Sequence, residues 1–149
     1  MQVLAFLTDN GHIAIRSDTI RAHLKDCART ISAQYLGRVE GEGAFSTRVI
    51  RGVYQDAEVP WTPVVRSDGA PISEPDGWQV RQVTTRNGSS FKKLPYILRP
   101  AIEFDLLVLG DSVGIEDLQT IMLYGGVHGY GGERSRDGGK YRLVSIEEK

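Results

Sequence analysis

Gly125-Gly-Val-His-Gly-Tyr-Gly-Gly-Glu-Arg-Ser-Arg-Asp-Gly-Gly-Lys-Tyr141 is the most glycine-rich stretch of the chain, with glycines at 125, 126, 129, 131, 132, 138 and 139. Glycine at this density lets backbone approach a ligand closely and lets successive N–H groups point into one concavity, an arrangement that binds anions. Arg134, Ser135 and Arg136 add charge-assisted and hydroxyl hydrogen bonds of the kind phosphate accepts. The spacing is neither a nucleotide P-loop nor a dinucleotide fingerprint, because no strand precedes it and no Gly-Lys-Ser/Thr opens a helix. The stretch reads as a loop between a helix and a final strand, so the elements on either side of it decide the fold.

Upstream, Ile115, Leu118, Ile121 and Met122 recur at helical spacing after Ser112, and Glu116 and Asp117 place acids where a helix N-terminus favours them. This predicts a helix from Ser112 to Gly125, with Gly125-Gly126 at its C-terminus. Downstream, Lys140 to Ile146 reads as the last strand. Before the helix, Ile97 to Leu109 is an extended run broken by Pro100, with Ile102, Phe104, Leu106 and Val108 on one face against Glu103 and Asp105. Trp78 to Thr85 and Phe91 to Leu98, joined across Arg86-Asn87-Gly88-Ser89, predict a protruding hairpin. Pro60 to Gly77 holds four of the six prolines, which excludes a central strand or helix interior and predicts an insertion loop or edge excursion.

At the other end, Gln2 to Thr8 stops at Asp9-Asn10-Gly11, a turn signal, and His12 to Arg16 resumes an extended pattern. From Ser17, apolar residues at Ile20, Leu24, Cys27, Ala28 and Ile31 mark one face of a helix with Asp18 in its first turn. Its other face carries Arg21, Lys25 and Arg29 at successive i,i+4 positions, a basic stripe. Gly37 to Gly43 reads as a loop, and the β-branched and aromatic content of Phe45 to Gln55 predicts a strand. With the extra strands taken as excursions, the order collapses to βαββαβ. That is the α+β, ferredoxin-like arrangement: an antiparallel sheet with both helices on one face, here with an inserted hairpin.

At 149 residues the chain fits one domain, 1–149, with an insertion and hairpin region around 56–95. Hydrophobic content of 40% and charged content of 25% are those of a folded globular protein. A formal net charge of −1 excludes a polycation drawn as a whole to nucleic acid or membrane. Any such site is a local patch. Charge does segregate: Asp56, Glu58, Asp68, Glu74 and Asp76 stand against Arg66 alone between positions 56 and 76. The single Cys27 excludes an internal disulfide framework and a thiolate zinc cluster, and no carboxylates cluster at metal-ligand spacing, so no metal or cofactor is expected. No signal peptide or membrane-length apolar run is read, which predicts a cytoplasmic protein without membrane contact.

The helix and loop that end in Leu123 to Val144 resemble the carboxy-terminal glycine-rich loop of the RAMP superfamily of CRISPR-associated proteins: a glycine cluster, Arg-Ser, further glycines, then a strand. Ile15 to Arg29 is similar to the basic first helix of the same family. Together the two stretches cover about a third of the 149 residues, and the middle carries no resemblance. The resemblance implies a ferredoxin-like core and binding of single-stranded RNA (or DNA), as a homo-oligomer along the strand or within a CRISPR-type complex. It maps RNA contact onto Gly129, Gly131, Gly132, Arg134, Ser135, Gly138 and Gly139 in the loop and Arg21, Lys25 and Arg29 in the helix, and the charge pattern adds Arg136 and Lys140. The chain departs from the family in being short, in reading Asp137-Gly-Gly-Lys140, and in having reduced insertions. Solitary domains of this kind also resemble phage-encoded proteins, which would place the chain in a host cytoplasm.

Catalysis is not expected. Metal-independent RNA cleavage needs a base and an acid at the scissile phosphate. If the protein is an enzyme, a repeat-type endoribonuclease, His12, His128 and Tyr130 are the candidates, with Tyr124 nearby, while His23 reads as a surface or packing residue. A third reading is a phage protein that imitates a RAMP subunit and acts by protein–protein contact. Phe45, Tyr54, Trp61, Trp78, Phe91 and Tyr96 could stack unpaired bases, worth roughly 1–3 kcal/mol per base. Trp61 and Trp78, beside the proline-rich stretch, fit a ligand or subunit contact best.

Overall fold

The computed structural model describes residues 2–34, 44–111, 113–131 and 139–149. In chain order these form β1 (Gln2–Val3), β2 (Thr8–Asp9), β3 (His12–Arg16), α1 (Ser17–Gln34), α2 (Phe45–Gly52), β4 (Val53–Gln55), β5 (Trp61–Pro63), β6 (Gly77–Thr85), β7 (Gly88–Tyr96), β8 (Leu106–Val108) and α3 (Ile115–His128). The protein is α+β, with three helices and small, mainly antiparallel sheets among the described residues. The chain divides into two compact units, residues 1–16 with 59–104 and residues 17–58 with 105–149.

In the first unit, Asn10 (φ 52°) and Gly11 (φ 80°) make the two-residue turn expected of Asn-Gly, and Thr8 pairs with Ile13 across it. β3 pairs antiparallel with β5, which lies at the edge of its sheet, as Pro63 requires. Ile13, Val64 and Ile72 are buried together, with Ile15 and Ile97 packed against them. β6 and β7 pair without interruption from Gly77↔Tyr96 to Thr85↔Gly88, the predicted hairpin, and β1 adds in parallel beside β7. Asp76 braces the base of the hairpin. It takes both Arg66 nitrogens, at 2.8 and 2.6 Å, and the Leu98 N–H at 2.7 Å.

In the second unit α1 packs against α2, α3 and β4, burying Leu24, Cys27, Ala28 and Ile31 with Phe45, Val49, Val53, Leu118, Ile121 and Met122. The strand predicted over Phe45 to Gln55 is a correction: its first eight residues are helix α2. Phe45 and Val49 are four apart and, with Gly52, are the buried residues of α2, so a helical stripe outweighs the β-branched composition. β4 pairs antiparallel with β8.

Three further boundaries differ from expectation. The run from Ile97 to Leu109 is strand only over Leu106–Val108, because Arg99 turns at φ 50° before Pro100 and the run passes from one unit to the other. Helix α3 continues through Gly125-Gly126 to His128, and both glycines are buried within it. No strand forms over Lys140 to Ile146. Tyr141 instead donates its N–H to the Gly126 carbonyl of α3 at 3.1 Å, so the segment begins against a helix. The predicted loop Gly37 to Gly43 and the helix start at Ser112 lie outside the described residues. Among the described residues, no helix is long and apolar enough to cross a membrane.

Candidate functional site

Helix α1 organises the second unit because its two flanks serve different neighbours. At ~3.6 residues per turn, Ile20, Leu24, Cys27, Ala28 and Ile31 form the buried stripe. Arg21 and Lys25 border it on one side, and Thr19, His23 and Asp26 on the other.

On the first flank, Arg21 donates from Nε to the Val53 carbonyl at 2.8 Å and from Nη2 to the Ile50 carbonyl at 2.7 Å. Its guanidinium also lies 4.6 Å from the centre of the Tyr54 ring. The α2–β4 junction therefore occupies Arg21, and the residue acts as a strut. Lys25 is half-buried and Arg29 is exposed, so the solvent-facing part of the predicted basic stripe is its outer end.

On the second flank, His23 stands between two tyrosines that bracket the glycine loop. Its Nε2 lies 2.7 Å from the Tyr141 hydroxyl. The Tyr141 ring is edge-on at 5.5 Å, and the Tyr130 ring edge-on at 5.2 Å. The Tyr130 hydroxyl hydrogen-bonds to Thr19 Oγ1. Cys27 Sγ lies 3.6 Å from His23 Nε2, and Tyr141 Oη lies 3.8 Å from Met122 Sδ. Burial pushes both phenols up from the ordinary tyrosine range.

The backbone closes the loop at the same place. Tyr130 donates its N–H to the Gly139 carbonyl at 2.9 Å, so these two residues meet at a neck seated on α1 and α3. Two glycines are needed for that closure. A Cβ at Gly126 would overlap the Tyr141 carbonyl oxygen, and one at Gly139, where φ is 74°, would overlap that of Tyr130. Part of the glycine density in the sequence thus comes from close packing of the neck. Gly129 caps α3 with its N–H on Gly125, 2.7 Å away, and Gly131 is exposed in open space. Lys140 is exposed just beyond the neck. Gly132, Arg134, Ser135, Arg136 and Gly138 lie outside the described residues.

Of the histidines named as catalytic candidates, His128 ends α3, where positive charge offsets the helix dipole. Its Nε2 lies 3.4 Å from Asp26 Oδ2 and its Nδ1 3.3 Å from the Tyr124 hydroxyl, with the Tyr124 ring stacked at 5.3 Å. His128 and Tyr130 belong to the second unit. His12 belongs to the first, where its Nδ1 lies 3.2 Å from Ser73 Oγ. The residues that sequence reasoning did not select are Thr19, Asp26 and Tyr141, together with the bracketed position of His23. The i,i+4 spacing of Thr19 with His23 was the available signal. Among the described residues, no group of three or more His, Cys, Asp or Glu side chains could hold a metal ion. No protein-family model matches the chain, and no curated protein or solved structure matches it. Function is therefore read from the residues themselves.

Proposed function

We propose that the protein binds single-stranded RNA without cleaving it, with the RAMP-like glycine loop as the phosphate contact and Arg29 and Lys140 as outlying cations. The observation that carries this reading is the neck. The segment bearing Arg134, Ser135 and Arg136 begins and ends at residues clamped to α1 by the Thr19–Tyr130 and His23–Tyr141 contacts. A short segment tethered at both ends loses less entropy on binding than a free one, and its cations meet phosphate at lower cost.

The ferredoxin-like core belongs to the same proposal. The antiparallel β4–β8 pair, with α1 before it and α3 after it in the chain, supports it, with residues 59–104 as an excursion between the two strands. RNA copurifying with the protein, seen as high absorbance at 260 nm on size exclusion and lost from the Arg134→Ala/Arg136→Ala variant, is the expected result. Protein that is equally free of RNA in both forms, and that retains none when RNA is added at low salt, overturns the reading.

The Asp26–His128 contact favours a second reading, metal-independent RNA cleavage, because a carboxylate can orient an imidazole for proton transfer. Cleavage of structured RNA that persists in EDTA and is lost in His128→Ala would replace binding by catalysis.

A further inference from the structure

The hairpin of the first unit has a composition unlike the rest of the chain. From Gly77 to Ile102 there are five cationic residues, Arg81, Arg86, Lys92, Lys93 and Arg99, and no aspartate or glutamate, in a chain whose net charge is −1. The strand register sorts these residues by face. Trp78 pairs with Pro95, Val80 with Lys93 and Gln82 with Phe91, and Val3 of β1 pairs with Lys93, so all seven share one face of the β1–β7–β6 sheet.

The outer face of a three-stranded sheet is ordinarily polar. This one is not. Trp78 is 40% exposed, Phe91 52%, Val80 55% and Val3 59%, while Gln79, Arg81, Val83, Lys92 and Leu94 on the opposite face are more covered. Lys93 Nζ lies 5.0 Å from the Trp78 ring centre and braces the indole diagonally across the strands. Trp78 and the Gln82–Phe91 pair are four residues apart along β6, on the order of 13 Å, with Val80 between them.

We propose that this open sheet face is a second binding surface for single-stranded nucleic acid, on which unpaired bases stack against Trp78 and Phe91 while Lys93, and Arg86 at the hairpin tip, meet phosphates. Exposed aromatic rings with a cation between them, on a hairpin free of acids, suit a polymer of flat rings and regular negative charge. The proposal extends the reading of the protein as an RNA binder but rests on residues separate from the glycine loop.

Trp78 supplies the probe. In a Trp61→Phe background it is the sole tryptophan of a chain that has two. Titration with an oligouridylate of about 15 nucleotides is expected to quench its emission saturably. An oligothymidylate of the same length is expected to do so too, since stacking does not read the 2′-hydroxyl. In the native background Trp78→Ala/Phe91→Ala is expected to weaken oligouridylate binding by between about fivefold and about a hundredfold for each ring lost, and Trp78→Phe to keep most of it. Trp78 is 40% and Phe91 52% exposed, so the alanine variant is expected to fold; if it does not, the quench still decides. Absence of quenching, or unchanged affinity in the alanine variant, overturns the proposal. So does a dimer that the alanine variant dissolves without change in oligonucleotide binding. Loss of binding in Arg134→Ala/Arg136→Ala alone leaves the loop reading standing and this one fallen, whereas loss in the sheet variant alone does the reverse.

Discussion

His23 on α1 and Tyr141 beyond the glycine loop meet at 2.7 Å, nitrogen to hydroxyl, across 118 positions of sequence. This contact, with Thr19 on Tyr130, converts a glycine-rich stretch into a loop with a fixed base. Tyr141→Phe keeps the edge-on ring and removes the hydrogen bond, at an expected cost of about 1 kcal/mol in urea unfolding. The same change is expected to weaken RNA binding.

Alkaline titration reads the same neck. Burial raises the Tyr130 and Tyr141 phenols in the folded protein, so their stabilising contribution is full below the unfolded tyrosine value near 10 and is lost as pH rises through the folded values. Absorbance of the phenolate is expected to include two late steps, from Tyr130 and Tyr141. Tyr130→Phe and Tyr141→Phe should each remove one late step.

Gly126→Ala forces a Cβ onto the Tyr141 carbonyl oxygen, and the neck must shift. We expect a loss of roughly 1–3 kcal/mol, as for other overpacked sites, seen as a lower melting temperature. Leu123→Ala, on an exposed position of the same helix, should change stability by about 0.5 kcal/mol or less.

The basic stripe divides in two under mutation. Arg21→Ala removes two charge-assisted bonds to the Ile50 and Val53 carbonyls and should cost about 1.5–3 kcal/mol. Arg21→Lys should not restore it, because an ammonium cannot reproduce the planar fork over Tyr54. Arg29→Ala should leave urea unfolding nearly unchanged and lower RNA affinity.

Much of this fold is legible in local sequence. Asn10-Gly11 predicts its hairpin, the Ile20 to Ile31 stripe predicts α1, and the alternation either side of Arg86-Asn87 predicts β6 and β7, because each signal acts within a few residues. The errors arise where distant contacts decide. Gly125-Gly126 reads locally as a helix end, yet the pair stays helical because Tyr141 packs against it. Lys140 to Ile146 alternates like a strand, but forms none, and its Tyr141 bonds to the backbone of α3. At the candidate site, Tyr124 and His128 share a visible i,i+4 spacing, whereas nothing near His23 in sequence announces Tyr141.

Asp76 gives a prediction at acid pH. The Arg66 guanidinium and the Leu98 N–H hold its carboxyl down to about 2 from the ordinary 3.8. Its contribution to stability is therefore present above about 4 and lost as pH falls through about 2. Asp76→Asn should destabilise the protein at neutral pH, and the difference from wild type should shrink to nothing at the acid end of a denaturation series.

The salt dependence of RNA binding tests the central claim most directly. Each phosphate neutralised on a single strand contributes roughly −0.7 to the slope of log affinity against log salt. Wild-type protein titrated with a labelled oligouridylate across salt concentrations should give a steep negative slope, and Arg134→Ala/Arg136→Ala should reduce its magnitude by about 1.4. Equal affinity and equal slope in the two proteins would contradict the account, whichever other surface the RNA then proved to occupy.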